Sequence, residues 1–461
     1  MVFPTIMPAN SVSGYEIDNS LRFNDGDSPS LNDTQSGGNR RIWTFSAWVK
    51  RSQLGTNQVI FNSGTNDSNY FVFNFNSGDQ LSWHQYDGSG YDVLETTDGV
   101  FRDVAAWYHL VLRCDTTDST ANNRFQLYVN GVLQPHTANT TAAEDLDTDV
   151  NANSHVFDIG NDNEFNQGYV AFDGYMADIN LIDGTAKAPT DFGKVDDNGI
   201  WVPIRYGGGS YGTNGFFLEF KQTGTSANAS GIGADTSGTG THFAVTNIAA
   251  TDVTTDTPTN NFATMNPLFF RSNTANGFVG TKFSEGNTLS TQSDANLLQF
   301  GTFLVTKGKW YMEVKIVDVG GLAAVGIINP QTYDNGNPDT KSIVYRSNGQ
   351  KKNLGSASSY GNSFTDDDII GIAFNADDGE ISFFKNGSAE NSGTAAFTSI
   401  DTSTGYVMGG YGYNGVQSNN YGQPSFAISS GNTDADGHGN FEFAPPSGYF
   451  ALCSKNLAEY G

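Results

Sequence analysis

Basic residues are scarce in this chain of 461 residues, in which 23 Lys and Arg stand against 49 Asp and Glu and leave a formal net charge of −26. Nucleic-acid binding draws most of its affinity from cations that meet phosphates. Anionic membrane surfaces likewise attract basic segments. We therefore expect no nucleic-acid partner and no docking on anionic lipid.

Cysteine and long apolar runs are nearly absent as well. Cys114 and Cys453 lie far apart in apolar, strand-like stretches, which predicts two buried thiols and no disulfide framework. No apolar run approaches the roughly 20 residues that span a bilayer, so we expect no membrane insertion. The first ten residues have no basic region and contain two prolines, so we expect no signal peptide.

Sustained helical periodicity is also missing, because Gly, Asn and Asp make up about 30% of the chain and interrupt the apolar stretches. Helices disfavour these residues, whereas tight turns use them. Alternating apolar and polar residues at 42–51, 69–78, 309–318 and 380–387 predict strands. The predicted fold class is therefore all-β.

The two halves repeat one order of features, namely a strand, an acidic turn, a second strand and an Asn-Gly turn, at 107–134 and at 368–390. Asn130-Gly131 and Asn386-Gly387 suit a type I′ turn, which needs positive φ at two successive residues. Each half is therefore predicted to form its own hairpin-built antiparallel β-sandwich.

Between the halves, residues 223–270 are rich in Thr, Ser, Gly, Asn and Asp and hold few large apolar residues. This composition predicts an extended linker. The predicted organisation is an attachment segment at 1–14, a sandwich at 15–222, the bridge at 223–270 and a second sandwich at 271–461. Residues 1–265 carry −19 of the net charge.

Three ordered blocks of the first half resemble the laminin-G-like, concanavalin-A-like jelly roll: WTFSAWVKR (43–51), WYHLVLRCDTTDSTANNRFQLYVNG (107–131) and FDIGNDNEFNQGYVAFDGYMADINLIDGTA (157–186). In the second half, GKWYMEVKIVDVGGLAAVGIIN (308–329) and DDDIIGIAFNADDGEISFFKNG (366–387) resemble a SPRY domain. The SPRY resemblance implies a bent sandwich that binds partners through its loops and has no catalytic chemistry.

The segments 256–267, 412–426 and 446–457 resemble tail-fibre or other virion proteins of bacteriophages. This resemblance implies a tail fibre, spike or head-surface protein on an extracellular particle, with other virion proteins as partners and a symmetric homo-oligomer, taken as a trimer. The expected role is adhesion to host surface polysaccharide. A purely architectural capsid or tail component and a glycan-degrading enzyme remain the alternatives.

Catalytic constellations are not visible in the sequence. Glu16 and Asp18 begin a pattern that could aim two carboxylates at a glycosidic bond, but no second Glu follows at the required spacing. The six His are scattered and no Gly-x-Ser-x-Gly elbow is present. We expect no enzyme and no required cofactor.

Calcium is the one metal that the sequence favours, because hard cations bind several oxygen ligands from close loops. The candidate ligands are Asp145, Asp147, Asp149, Asp158 and Asp162. The laminin-G-like resemblance supports calcium at a sandwich rim, and a solvated acidic loop is the alternative. A second loop at 432–442 resembles a calcium loop only superficially, because Glu442 lies one residue early.

Glycan contact is the other chemistry that the loops favour, since sugar rings stack on exposed aromatic faces while Asn, Asp and Gln bond the hydroxyls. The candidate contacts are Trp83, Tyr86, Tyr91, Tyr206, Tyr211, Tyr411, Tyr413 and Tyr421. Core packing of these rings is the alternative at each position.

Overall fold

The computed structural model describes residues 14–161, 169–269, 281–293, 297–333 and 337–461. The chain is nearly all β, with 42% of its residues in strands and 6% in helices, which confirms the predicted fold class. It divides into a first unit within residues 14–259 and a second unit within residues 260–461. In the described ranges, no helix has the length and apolar character needed to cross a membrane.

The first unit is built from short and medium strands joined by turns. Its strands are β1 (Ser20–Phe23), β2 (Ser30–Thr34), β3 (Ile42–Arg51), β4 (Gln58–Asn66), β5 (Asn69–Phe75), β6 (Leu81–Tyr86), β7 (Tyr91–Thr97), β8 (Tyr108–Asp115), β9 (Phe125–Val129), β10 (Val132–Leu133), β11 (His136–Thr140), β12 (Val156–Ile159), β13 (Gly174–Asp183), β14 (Gly193–Val195), β15 (Trp201–Pro203), β16 (Phe216–Leu218), β17 (Ala244–Thr246) and β18 (Val253–Thr254). Its 3₁₀ helices are Asp25–Asp27, Ala121–Asn123, Pro189–Asp191 and Ala250–Asp252.

Two large antiparallel sheets make up this unit. The front sheet has the order β11-β7-β6-β5-β4-β12-β2-β17, and the back sheet has the order β10-β9-β8-β3-β13-β1-β18, with β16 paired to β13. Apolar residues of both sheets form one buried core. Aromatic rings dominate it, as where Trp43 of β3 meets Phe71 of β5 edge to face at 5.5 Å, a geometry that the ring quadrupoles favour.

Alternation along β3 sorts its residues between two faces. Trp43, Phe45 and Val49 pack in the core, whereas Trp48 belongs to a separate apolar cluster on the outer face of the back sheet. Lys50 follows Trp48 by two residues and therefore shares that outer face. The alternation of the strand thus places Lys50 on the outer side of the back sheet, where other parts of the chain bury it.

The predicted bridge is corrected by the structure, because residues 223–259 fold into the first unit. Strand β17 pairs with β2 and β18 with β1, and Ile232, Phe243 and Ile248 are buried in the core of that unit. Residues 260–269 belong to the second unit, where Phe262 and Met265 are buried. A few large apolar residues suffice to anchor this stretch, since the five named here are each buried in a core.

The second unit has the same general construction. Its strands are β19 (Lys282–Ser284), β20 (Leu289–Thr291), β21 (Leu297–Phe300), β22 (Lys309–Asp318), β23 (Leu322–Ile328), β24 (Ser342–Arg346), β25 (Gln350–Asn353), β26 (Ser356–Ser359), β27 (Ile369–Asn375), β28 (Glu380–Lys385), β29 (Ser388–Ala389), β30 (Val407–Tyr413), β31 (Val416–Asn420) and β32 (Phe450–Ala451). Its helices are the 3₁₀ turns Pro338–Thr340 and Glu390–Gly393 and the α-helix α1 (Ser454–Tyr460).

The two sheets of this unit are also mainly antiparallel. One has the order β19-β20-β31-β22-β27-β28-β29, with β32 added in parallel to β22, and the other has the order β21-β30-β23-β24-β25-β26. Trp310, Ile372 and Tyr421 belong to the main buried core.

The predicted repeat of hairpins is confirmed in both units. Asn130 and Gly131 have φ of 48° and 77°, and Asn386 and Gly387 have the same two values. Each Asn side chain also accepts a hydrogen bond from the start of the first strand, from His109 N to Asn130 Oδ1 and from Ile369 N to Asn386 Oδ1, both at 2.8 Å. The two Asn-Gly turns therefore close equivalent hairpins by equivalent bonds. Both cysteines are free and buried, as predicted.

Candidate functional site

The outer face of the front sheet carries an unusual concentration of aromatic and polar side chains. Along β6, Leu81 and Trp83 face the core, so the alternation of a strand places His84 and Tyr86 on the outer face. The register extends this face to neighbouring strands, because Tyr70 of β5 and Tyr91 of β7 both lie opposite Tyr86.

Five rings meet there and form what we call the outer aromatic cluster: Tyr70, His84, Tyr86, Tyr91 and Tyr169. Tyr86 lies 5.4 Å from Tyr91 and 5.9 Å from Tyr70, measured between ring centroids. His84 lies 5.7 Å from Tyr91 and 5.9 Å from Tyr169. Tyr70 and His84 are buried, whereas Tyr91 is 45% exposed. The cluster thus has a buried base and an exposed edge.

A cross-strand row runs from His84 across the sheet and holds two further polar residues. His84 lies opposite Val72, Val72 opposite Asn62, and Asn62 opposite Asp158 of β12. Asn62 Nδ2 donates a 2.5 Å hydrogen bond to the backbone oxygen of Asn161. Asn62 and Asp158 are both buried, so this part of the row does not face solvent.

His84 belongs to both the outer aromatic cluster and the row that runs across the sheet. Its Nε2 lies 3.1 Å from the hydroxyl of Tyr169, and burial lowers the pKa of His84 to about 4. The imidazole is therefore neutral at physiological pH, and one ring nitrogen can accept the hydrogen bond of the tyrosine while the other donates. The neutral His84 ring beneath Tyr91 therefore adds no positive charge to this surface.

This arrangement suits a flat, hydroxyl-rich ligand. Exposed tyrosine rings offer apolar faces with a polar edge, and binding sites usually combine such rings with a few placed polar groups. Gln85 lies on the core-facing side of β6 with Trp83, where it is buried and its Nε2 donates to Asp92 Oδ2 at 3.0 Å. No positive side chain takes part in the contacts just described, so the surface favours a neutral ligand over an anion.

Of the predicted glycan contacts, Tyr86 and Tyr91 are brought together, and Trp83 is not. Trp83 is fully buried in the core on the opposite face of the same strand, so the prediction for Trp83 is wrong. The reason is the period of two, which separates Trp83 from His84 and Tyr86.

Tyr206 and Tyr211 lie elsewhere in the first unit. Tyr206 is buried and stacks on Phe192 at 5.2 Å. Tyr211 is half-buried against Tyr206 and its hydroxyl donates to Asn180 Oδ1 at 3.2 Å. Both rings therefore serve packing, and Tyr206 offers no free face to a sugar.

The second unit buries two of the three predicted tyrosines. Tyr411 is buried and its hydroxyl donates to Asp339 Oδ1 at 2.5 Å, and Tyr421 is buried and donates to the backbone oxygen of Met408 at 3.0 Å. Predictions of ligand contact at Tyr411 and Tyr421 are therefore wrong, because each ring is enclosed and each hydroxyl is satisfied internally. Tyr413 is 40% exposed.

The carboxylates proposed for calcium are separated by the fold. Asp145 and Asp147 bind the same arginine, Arg41, at 3.0 and 2.7 Å. Asp149 is buried 3.5 Å from Arg40, and burial raises its pKa to about 6.

Asp158 lies instead on β12 in the cross-strand row of the front sheet, and Asp162 lies outside the described residues. Among the residues that the structure describes, no three His, Cys, Asp or Glu are grouped for a metal. A calcium site and its alternative, a solvated acidic loop, both stay predictions, and the described residues hold no grouped set of ligands. In the 432–442 loop, Asp434 instead accepts bonds from Asp436 N, His438 N and Ala451 N.

Glu16 and Asp18 are exposed, and a different carboxylate pair lies on the outer face of the back sheet. Asp178 interrupts β13 at an irregularity of the register, with φ of 47°. Burial raises its pKa to about 7, and the charge of Glu219 adds to the effect. Burial also acts on Glu219, but bonds from Lys221 and Thr236 hold the pKa of Glu219 below its usual value. Tyr15 donates to Asp178 Oδ2 at 2.7 Å.

Sequence reasoning missed three members of the outer aromatic cluster, namely Tyr70, His84 and Tyr169. For Tyr70 and His84 a signal was available, because the stretches 69–75 and 81–86 alternate between apolar and polar residues. When the two strands pair in register, this alternation places Tyr70, His84 and Tyr86 on the same face of the sheet. Tyr169 reaches the cluster from a loop, and no periodic signal predicts that approach.

Comparisons with known proteins support the two-unit description. Residues 23–190 match the family model of the concanavalin A-like lectin/glucanases superfamily, and residues 309–427 match the SPRY domain model. A search of the curated proteins finds no significant match.

Several solved structures are similar to parts of the chain. The human HERC1 SPRY domain is 21% identical, with 29% of this chain and 87% of that chain covered and a TM-score of 0.25. A second human SPRY domain is 20% identical, with 33% and 99% covered and a TM-score of 0.25. The native heptameric SAP-like pentraxin from Limulus polyphemus is 16% identical, with 38% and 80% covered and a TM-score of 0.27.

The family matches fall within the two sandwiches that the structure shows, one in each unit. Both resemblances inferred for the two halves of the sequence are thereby confirmed. The first unit therefore contains a laminin-G-like domain of the concanavalin A-like superfamily at residues 23–190, and the second unit contains a SPRY domain at residues 309–427.

Proposed function

We propose that the first unit binds a neutral glycan at the outer aromatic cluster. The observation that carries the proposal is the pair Tyr86 and Tyr91, which lie 5.4 Å apart at the exposed edge of a sheet face whose base is polar and buried. Tyr91 offers an exposed ring on which a sugar can stack. The hydroxyl groups of Tyr86 and Tyr91 can bond to the hydroxyls of a sugar.

The superfamily description supports the same class of ligand, since its printed name covers lectins and glucanases. Fold alone does not decide function, because sandwiches host many unrelated activities. The proposal therefore depends on the side chains of the cluster, and the superfamily supplies only the expectation that glycans are among its ligands.

The biological setting that we propose is the surface of a bacteriophage particle, as a tail fibre, spike or head-surface decoration. The sequence segments at 256–267, 412–426 and 446–457 support this setting by their resemblance to virion proteins. The net charge of −26 suits a soluble surface component that repels other anionic surfaces. Other virion proteins and further copies of the chain are the expected partners.

The test of glycan binding uses the purified full chain on a glycan array and on whole host cells. We expect retention on one class of neutral surface polysaccharide, weakened in the Tyr91→Ala variant. If the protein is retained on particles stripped of it but on no glycan and no cell, the purely architectural alternative is correct instead.

Glycan hydrolysis is the second candidate function, and the pair Asp178 and Glu219 is the observation in its favour. Their environments push the two pKa values apart, as an acid and a base require. Release of reducing sugar from a host polysaccharide, abolished by Asp178→Asn or Glu219→Gln, would establish hydrolysis. Unchanged polysaccharide after prolonged incubation leaves binding as the function.

A further inference from the structure

A lysine and an aspartate that are far apart in sequence meet in a closed apolar site on the outer face of the back sheet. Lys50 Nζ lies 2.8 Å from Asp256 Oδ2, and the two side chains are 1% and 0% exposed. Asp256 follows β18 closely and lies near the end of the first unit. The contact therefore joins the last segment of the unit to its central strand β3.

The surroundings of this pair are aromatic. Trp107 Nε1 donates to Asp256 Oδ1 at 3.3 Å, and Lys50 Nζ lies 5.6 Å from the centroid of the Tyr175 ring. Trp107 and Tyr175 belong with Trp48 to the apolar cluster of that outer face. Two opposite charges in such a place have lost their hydration, and the loss favours the neutral amine and neutral acid over the ion pair.

Backbone contacts hold Asp256 in position. Ser20 Oγ donates to the backbone oxygen of Asp256 at 2.6 Å, and Asp256 N donates to Thr254 Oγ1 at 3.1 Å. Lys50 lies opposite Tyr175 in the antiparallel pairing of β3 and β13. Lys50 is thus fixed by strand β3 and Asp256 by these two hydrogen bonds, and such fixed placement of two groups can replace a large part of the entropy cost of a bimolecular reaction.

We propose that Lys50 and Asp256 join covalently through an amide bond between Nζ and Cγ, which staples the end of the first unit to its back sheet. An amine 2.8 Å from a carboxylate oxygen is in reach of the carboxyl carbon, since reactive geometries hold the two atoms roughly 3–3.5 Å apart. The neutral amine attacks Cγ, and one C–O bond of the carboxyl group breaks.

The reaction is a condensation and its atoms balance. The ammonium group gives up two protons and the carboxylate gives up one oxygen, and these leave together as water. No electron is gained or lost, so no oxidant or reductant is needed. Burial lowers the pKa of Lys50, which helps to supply the neutral amine. The charge of Asp103 also acts on Lys50.

The decisive measurement is the mass of the purified full chain under denaturing conditions, followed by tryptic digestion. The cross-link lowers the mass by one water relative to the sequence and blocks cleavage after Lys50. Digestion then yields a branched peptide that joins residues 42–51 to residues 222–271, because the flanking cleavage sites are Arg41, Arg51, Lys221 and Arg271. Fragmentation of that peptide places the amide at Lys50 and Asp256.

The Lys50→Arg variant is the matched control, since it keeps a positive charge but removes the reactive amine. We expect its full sequence mass and no branched peptide, and neither readout requires the variant to fold. Wild-type protein with the full sequence mass overturns the proposal. So does a missing water with separate peptides 42–50 and 222–271, which would assign the loss to a different site. Glycan binding does not enter either measurement, so the two proposals fail independently.

Discussion

Tyr86 and Tyr91 bracket the turn between β6 and β7, and their rings lie 5.4 Å apart at an interplanar angle of 60°. Tyr91 is 45% exposed, while Tyr70 packs against Tyr86 and His84 against Tyr91. A short hairpin turn holds the two rings, so they are in place before any ligand arrives. A prearranged surface of this kind loses less entropy when it binds.

The first prediction concerns this pair. Tyr91→Ala should weaken glycan binding about tenfold or more, because truncating a central aromatic contact commonly costs at least about 1–2 kcal/mol. Tyr91→Phe should retain most of the affinity, since the ring face remains. Titration of the glycan identified on the array, followed by calorimetry, measures both.

Tyr413→Ala is the matched control, because Tyr413 is about as exposed as Tyr91 but belongs to the second unit. It should leave affinity unchanged. Equal losses in the Tyr91 and Tyr413 variants would move the site away from the outer aromatic cluster.

The strands were predictable because their signals are local. The alternation at 42–51 and 309–318 matches β3 and β22 residue for residue, and the Asn-Gly turns follow from the φ values that only certain residues adopt without cost. It was harder to predict from the sequence which side of each strand faces the core. Which parity of β6 faces the core depends on the partner sheet, and Trp83 and Tyr86 are equally aromatic in the sequence.

The bridge was mispredicted for a related reason. Composition reports the average of a segment, whereas anchoring depends on a few side chains such as Phe243 and Phe262. Pairings such as that of Lys50 with Asp256 join residues on distant strands, so no local pattern contains them. Local propensity thus specified the elements, while the sites depend on long-range register.

The second prediction concerns calcium. Arg41 already bonds the carboxylates of Asp145 and Asp147, so a cation at this place would have to displace a guanidinium group. We expect the thermal unfolding midpoint to be the same in calcium and in EDTA, because only a ligand that binds the folded state raises it. A midpoint that rises with calcium and falls again with EDTA would establish a structural ion that the described carboxylates do not account for.

The third prediction concerns the turn at Gly131. Its φ is 77°, and an added Cβ would clash with the ring of Trp201. Gly131→Ala should therefore destabilise the protein by about 2–4 kcal/mol, from left-handed strain together with overpacking. Urea unfolding measures the loss.

Gly207→Ala is the control for the added methyl group, because nothing lies near its Cβ position and its φ is not in the left-handed region. Its stability should change by less than about 0.5 kcal/mol. An equally mild effect at Gly131 would mean that the Asn130-Gly131 turn does not have the tight geometry described above.

The fourth prediction uses the buried carboxyl group of Glu95, which lies in β7 beside Trp83, with Oε2 3.5 Å from His136 Nε2. Burial raises the pKa of Glu95 to about 7 from the ordinary value of 4.5. The folded state therefore binds a proton more tightly than the unfolded state, and the stability that this proton contributes is present below pH 4.5 and lost as pH rises through 7. The side chain in the Glu95→Gln variant does not titrate, so the variant does not undergo this loss of stability.

The difference in unfolding free energy between Glu95→Gln and the wild type should consequently grow in favour of the variant by about 2–3 kcal/mol between pH 4.5 and pH 8. Urea unfolding at a series of pH values gives this difference directly. Glu144→Gln removes an exposed carboxylate and should change stability by less than about 0.5 kcal/mol at every pH. A difference for Glu95→Gln that stays constant with pH would show that folding does not shift the pKa of Glu95, and one that shrinks as pH rises would show that folding lowers this pKa, because a stabilised carboxylate gives the opposite slope.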